Sequence, residues 1–211
     1  MRNAVVGGGV AMTVLACDGI YDDPDTVAPV QTKENSYQYI DATKYTNWIY
    51  INLHGRDSVT LDYRDTANIP QHWDLAIHRY DVKTNGGGAL ETNYTSLDAL
   101  RSDIESGVFV EPVGANYKED VADSIIVDMT TMMQGYITRS ATAKNLEMGK
   151  WLDVDLSTMP PIYTPSGKVY LLRMSDATVA AIRFTGFSNP NLYNTKGYIS
   201  FDYLYPLNFT R

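Results

Sequence analysis

From residue 38 to the C-terminus the apolar residues come in short runs, broken at close intervals by Gly, Pro, Asn and Asp. An amphipathic helix needs roughly ten or more unbroken residues to bury a stripe, whereas about four to eight suffice for a strand. The punctuation therefore restricts most of the chain to strands. Runs at 40–53 and 58–63 are followed by a third long one at 73–82. That run reads as a single strand and stops at Thr84-Asn85-Gly86-Gly87-Gly88, where glycines tolerate positive φ. Further strands are expected near 108–110, 124–133, 136–139, 151–156, 169–174, 179–187 and 198–205. One segment, 96–105, has helical spacing, with Ser96 as cap and Leu97, Leu100 and Ile104 on one face. The expectation is an all-β single domain of antiparallel strands with little helix, either a sandwich or an open barrel. The 16 tyrosines suit a pleated, half-buried surface, and the 44% hydrophobic content supplies a core.

The N-terminus is different in kind. Arg2 is followed by a small, apolar run over 4–16, too short to cross a bilayer and suited to the h-region of a signal peptide. It ends in Val14-Leu15-Ala16-Cys17, which resembles a bacterial lipobox; in that reading Cys17 is diacylated and becomes the mature N-terminus. Cys17 is the only cysteine, so no internal disulfide can form; the competing reading is a free or buried thiol. Asp18 and Asp22-Asp23-Pro24-Asp25 suit either an acidic export tag of Bacteroidetes surface lipoproteins or a plain solvated tether. The expected organisation is a signal peptide over 1–16, a flexible tether over 17–36 and one β domain over 37–211.

A formal charge of −8 and a pI near 4.8 argue against nucleic acid or an anionic membrane surface as the main partner. The chain contains no G-x-S-x-G, H-E-x-x-H, P-loop or C-x-x-C motif, and a Ser-His-Asp triad has no positive support from three histidines, His54, His72 and His78. If His72 and His78 share one strand they share a face, but at roughly 20 Å apart no single ion bridges them. His78 is expected to be a hydrogen-bonded structural side chain. A binding protein, not an enzyme, is expected.

The methionines are unevenly placed. Beyond Met1 and Met12, all lie between 129 and 174: Met129, Met132, Met133, Met148, Met159 and Met174. Thioether sulfur is a soft donor that haem iron accepts axially. Pro160 and Pro161 would stiffen the loop that carries Met159. On composition alone the ordinary role of Met as a core filler is favoured.

Several segments carry a family resemblance. They are Ile40-Asp41-Ala42-Thr43-Lys44-Tyr45 with Trp48, then Trp73-Asp74-Leu75-Ala76-Ile77-His78-Arg79-Tyr80-Asp81-Val82, and Gly86-Gly87-Gly88-Ala89. Further on come Gln134-Gly135-Tyr136, Gly149-Lys150-Trp151-Leu152, Tyr163 with Ser166, Phe184-Thr185, and Gly197-Tyr198-Ile199-Ser200-Phe201 through Tyr205-Pro206. Together they resemble the HmuY family, the haem-binding, haemophore-like lipoproteins of Bacteroidetes. The resemblance implies finger-like β-hairpins that form a cleft for haem b (iron protoporphyrin IX). It also implies transfer of haem to a TonB-dependent outer-membrane receptor. The protein would be held at the outer membrane by its lipid anchor alone, at the cell surface or released. In the best-known member two His ligate the iron. Aligned on Gln134 and Trp151, those positions fall at about Val127 and Leu156, with methionines beside both.

The resemblance therefore implies a Met pair as axial ligands. Strand alternation groups Met129 with Met133 and sets Met132 on the other face. The ligand separation in methionine-using relatives favours Met132 with Met159; Met129 and Met133 are the alternates. Tyr136, Ile162 and Tyr163 are expected to line the cleft, and Lys144 or Lys150 to meet a propionate. Met148 and Met174 are expected in the core or at its rim. The alternative function is a non-haem surface adhesin or structural lipoprotein of the same fold. The oligomeric state stays open.

Overall fold

The structure is a computed structural model of the chain and describes residues 30–33 and 35–209. The expected signal peptide, Cys17 and most of the expected tether lie outside the described residues. Within the tether span, however, Val30–Lys33 forms a strand, so regular structure begins earlier than residue 37.

Two antiparallel sheets pack face to face. The larger has the order β1 (Val30–Lys33), β2 (Ser36–Asp41), β14 (Thr195–Leu204), β13 (Val179–Asn189), β12 (Tyr170–Arg173) and β7 (Gly88–Glu91). The smaller has the order β4 (Asp57–Asp62), β3 (Asn47–Asn52), β5 (Leu75–His78) and β6 (Asp81–Thr84). Two further hairpins pair as strands with neither sheet: β8 (Val121–Asp128) with β9 (Thr138–Lys144), and β10 (Leu152–Asp155) with β11 (Ile162–Pro165). The single α-helix among the described residues, α1 (Leu97–Glu105), starts where Ser96 Oγ accepts from the Ala99 amide. The all-β expectation with finger-like hairpins holds.

Period-two alternation sorts the side chains into layers. In β3, Ile49 and Ile51 face the core between the sheets, while Trp48 and Tyr50 face the opposite way. In β12, Tyr170 and Leu172 join the central core, and Leu171 joins Leu100 and Ile104 of α1. The layers are thus α1, the six-stranded sheet, the four-stranded sheet and the β8–β9 hairpin, whose Ile125 and Val127 cover Trp48 and Tyr50.

Three expectations are corrected. The 73–82 run is not one strand. It is the hairpin β5–β6, turned at Arg79, which takes φ +52. Tyr80 and Val82 carry on the run of Leu75, Ala76 and Ile77, so the pattern reads straight through a turn that has neither Gly nor Pro. The left-handed Arg79 is held by its guanidinium, which donates to the carbonyls of Ala42 (3.2 Å) and Thr43 (2.9 Å) and lies over the Tyr45 ring. His72 consequently precedes the strand that ends at His78, and the two do not share a strand. Residues 108–110 form no strand; Val108 and Val110 are exposed in the loop after α1. Gly87 sits where a Cβ would lie 1.8 Å from the Arg173 carbonyl oxygen, so only glycine admits this approach of the turn to β12.

Lys83 of β6 lies under the β8–β9 hairpin. Its ammonium is 4.2 Å from the Trp48 ring centroid and 4.8 Å from that of Tyr50, whose hydroxyl accepts its hydrogen bond at 3.0 Å. Burial pushes this ammonium down to about 8. The unfolded chain, with an ordinary lysine near ~10.4, holds a proton between these values that the folded chain has lost, so Lys83 makes stability rise with pH there. Burial pushes Tyr117 and Tyr170 up to about 12, so their contribution is present below the ordinary tyrosine value of ~10 and is lost as pH rises above it. Chemical denaturation should show stability climbing from about pH 8 to pH 10. Lys83→Met should flatten that climb; an unchanged climb would exclude Lys83 as its source.

Candidate ligand-clamping site on the two hairpins

The two hairpins are joined by a short connection, buried at Asn145, Met148 and Trp151, and one amide pins it. Asn145 donates from Nδ2 to the Lys118 carbonyl (2.8 Å) and to Asp120 Oδ1 (3.0 Å), and its Oδ1 accepts from the Met148 amide (2.9 Å). Its backbone amide donates to the Val82 carbonyl at 2.8 Å. Asp120, just before β8, also accepts from the amide (2.8 Å) and hydroxyl (2.9 Å) of Thr84. The start of β8 and the end of β9 are thereby tied to the four-stranded sheet. The root of the second hairpin is Trp151. It stacks on Phe184 at 4.4 Å, donates from Nε1 to the Tyr80 carbonyl (2.9 Å), and accepts from the Ser166 amide (2.8 Å).

Between the roots lies a cleft of about 340 Å³, floored by Tyr80 and Val82 and flanked by Lys144 and Leu146 on one side and Leu152 and Val154 on the other. A larger groove, about 740 Å³, is lined by Tyr94, Val108, Phe109 and Val113 and holds no thioether.

Each hairpin ends in a turn locked by a carboxylate. Asp128 accepts from the Thr130 amide (2.8 Å) and hydroxyl (3.0 Å), and these bonds hold its carboxyl below the usual range. Asp155 accepts from the Ser157 amide (2.8 Å), and hydrogen bonds from Ser157 lower it likewise. Such Asx turns were readable as Asp-x-Thr and Asp-x-Ser, a signal the strand pattern obscured. The strand expected over 124–133 stops at Asp128, so alternation does not reach Met132 or Met133. These two open a 3-10 turn, Met132–Gln134, which closes at Gly135 with φ +85. Thr131 and Tyr136 seal it, the Tyr136 amide donating to the Thr131 carbonyl at 3.2 Å.

The methionines divide sharply. Met133 is 91% exposed, Met159 83% and Met132 40%, all on hairpin turns, whereas Met148 and Met174 are buried at 0% and 4%. Met129 is half-buried. Tyr136 and Ile162 are exposed. Tyr163 instead rests on Phe187 at 4.8 Å, on the face of β11 opposite Ile162, so these two do not share one wall. Neither expected propionate partner stands free. Lys144 Nζ lies 3.0 Å from both Asp81 and Asp123, and Lys150 Nζ lies 2.6 Å from Glu147.

The histidines take other roles. His78 is buried, and its Nε2 meets the Tyr45 carbonyl at 2.7 Å, as expected of a structural histidine. His54 lies between Asp74 (3.2 Å) and Asp176 (3.4 Å) and meets the Tyr205 hydroxyl. Among the described residues no serine hydroxyl is hydrogen-bonded to a histidine, so no Ser-His-Asp arrangement is assembled.

The overall fold is similar to that of known proteins. The HmuY family profile, described as HmuY protein, matches residues 44–203. The chain belongs to the HmuY family. A Bacteroides vulgatus protein assigned as HmuY-like and haem-binding is 40% identical, with a TM-score of 0.74, covering 87% of this chain and 100% of its own. A Bacteroides fragilis protein assigned as a lipoprotein is 45% identical, with a TM-score of 0.71 and coverage of 85% and 94%. The apo HmuY analog of Tannerella forsythia is 27% identical, with a TM-score of 0.63 and coverage of 82% and 97%. There is no match among curated proteins.

Within this HmuY family fold the Asn145 joint sets where both hairpins stand. Asn145→Ala leaves buried partners unsatisfied and should cost about 3 kcal/mol in chemical denaturation. It should also speed amide exchange in β8 and β9. Unchanged exchange there would show that the joint does not position the hairpin.

Proposed function

We propose that the protein is a haem-capturing surface lipoprotein that grips iron protoporphyrin IX between its two hairpins. Met132 and Met159 serve as the axial ligands, with Met129 and Met133 as alternates for the first. Cys17 carries the lipid anchor, and the captured haem passes to a TonB-dependent outer-membrane receptor. The observation that carries the reading is the exposure of thioethers on the turns of both hairpins, while the methionines of the core are covered. Withdrawing an exposed Met side chain from water is worth about 1.5–3 kcal/mol, so these turns offer apolar surface as well as donor atoms to a flat macrocycle. The Asx turns at Asp128 and Asp155 and the sealed 3-10 turn keep the donors on stiff supports. Family membership and the haem-binding assignment of the B. vulgatus relative support the same choice of ligand.

Thioether is neutral and a weaker donor than imidazole, so a Met pair raises the iron potential and favours the ferrous state. A Met pair also has no proton to gain. Haem affinity should therefore stay flat across the neutral range in which a His pair would titrate, near pH ~6.5. Haem titration of the full protein should give a saturable Soret band, sharper and tighter after dithionite. Met132→Ala and Met159→Ala should each alter the ferrous spectrum. Unchanged ferrous spectra in both variants reject the pair, and a protein with no Soret band leaves the adhesin reading in its place.

A further inference from the structure

We infer that the exposed hairpin methionines, Met159 above all, form a hydroperoxide-sensitive modification site that switches haem capture off. The inference rests on the proposed methionine ligation. It arises from a contrast within one molecule. Met132, Met133 and Met159 present sulfur to solvent on the two hairpin turns. Met148 is enclosed beside Trp151, and Met174 is buried with its Sδ accepting from Thr178 Oγ1 at 3.4 Å. Among the described residues, which include no cysteine, these exposed thioethers are the readiest two-electron donors.

The chemistry closes without a further reactant. A sulfur lone pair attacks the terminal oxygen of a hydroperoxide and the O–O bond breaks. An S–O bond forms, and the other oxygen leaves as water or alcohol with the transferred oxygen's proton. Methionine is oxidised by two electrons and the hydroperoxide is reduced by two. The product is a polar sulfoxide, whose exposed donor is a hard oxygen in place of a soft sulfur. Iron held by two neutral sulfurs would lose one of them. Methionine sulfoxide reductases, which draw on thiols, reverse the change.

Hydrogen peroxide is the probe, applied to the purified full chain before haem is added. Peptide mass mapping should show oxygen added at Met133 and Met159, then at Met132, with Met148 and Met174 untouched. Ferrous thioether ligation should be lost in step with Met159 oxidation, while far-ultraviolet circular dichroism is unchanged. Sulfoxide reductases with dithiothreitol should restore it. Haem bound beforehand should protect Met159 and the first ligand but leave the remaining tip methionines open. Met159→Leu, which cannot form a sulfoxide, separates the two possible failures. If Met159→Leu keeps the ferrous spectrum of the unmodified protein, the ligation reading fails. If it loses that spectrum while the Met159-oxidised protein keeps it, ligation stands and the switch is overturned.

Discussion

One buried side-chain amide carries the geometry of the proposed site. Asn145 spends both of its amide hydrogens and its carbonyl oxygen on the joint between the hairpins, and its backbone amide on the four-stranded sheet. For a polar group enclosed this fully, each bond left unmade costs stability. Such a group fixes one arrangement, because any shift of either hairpin root leaves a donor or acceptor stranded. Thr84 and Asp120 extend the same constraint into β6 and the start of β8, and Trp151 sets the second root against Phe184. Two hairpins outside both sheets would otherwise be marginal, since an isolated hairpin has little stability of its own.

The sheets behind the joint are covered on both sides, which explains their composition. α1 closes one face of the larger sheet, and the β8–β9 hairpin closes the outer face of the smaller. The hairpin therefore has two duties. Its root is part of the core through Ile125 and Val127, and its turn stands in water with Met132, Met133 and Tyr136. Burial at one end anchors what exposure at the other makes available. The same division holds in the second hairpin, where Val154 and Tyr163 pack inward while Ile162 and Met159 face out.

Met fills core gaps and offers a soft donor by virtue of the same unbranched thioether. Its chemical role here follows from position alone. Enclosed beside Trp151, Met148 is filler; on a stiff exposed turn, Met159 is a candidate ligand and, in the inference above, a target for peroxide. The cations near the cleft are similarly divided by context. Lys144 and Lys150 are already matched by carboxylates, so a propionate would share them with Asp81, Asp123 or Glu147.

Local pattern by itself determined the strand-rich class, α1 with its Ser96 cap, the Gly86-Gly87-Gly88 turn, the structural part of His78 and the crowding of methionines into one stretch. Each of these is written in neighbouring residues, through period, capping or turn chemistry. The family resemblance, resting on strings such as 73–82, supplied the hairpin cleft. Tertiary structure alone decided where 73–82 folds back, because the turn at Arg79 carries neither Gly nor Pro and is stabilised by carbonyls far away in sequence. It alone separated the exposed methionines from the buried ones, turned Tyr163 toward Phe187 and made Asn145 the joint. Exposure and hydrogen-bond partnership are properties of what lies across a sheet or a loop, and residues distant along the chain supply that neighbourhood only once the backbone has closed around it.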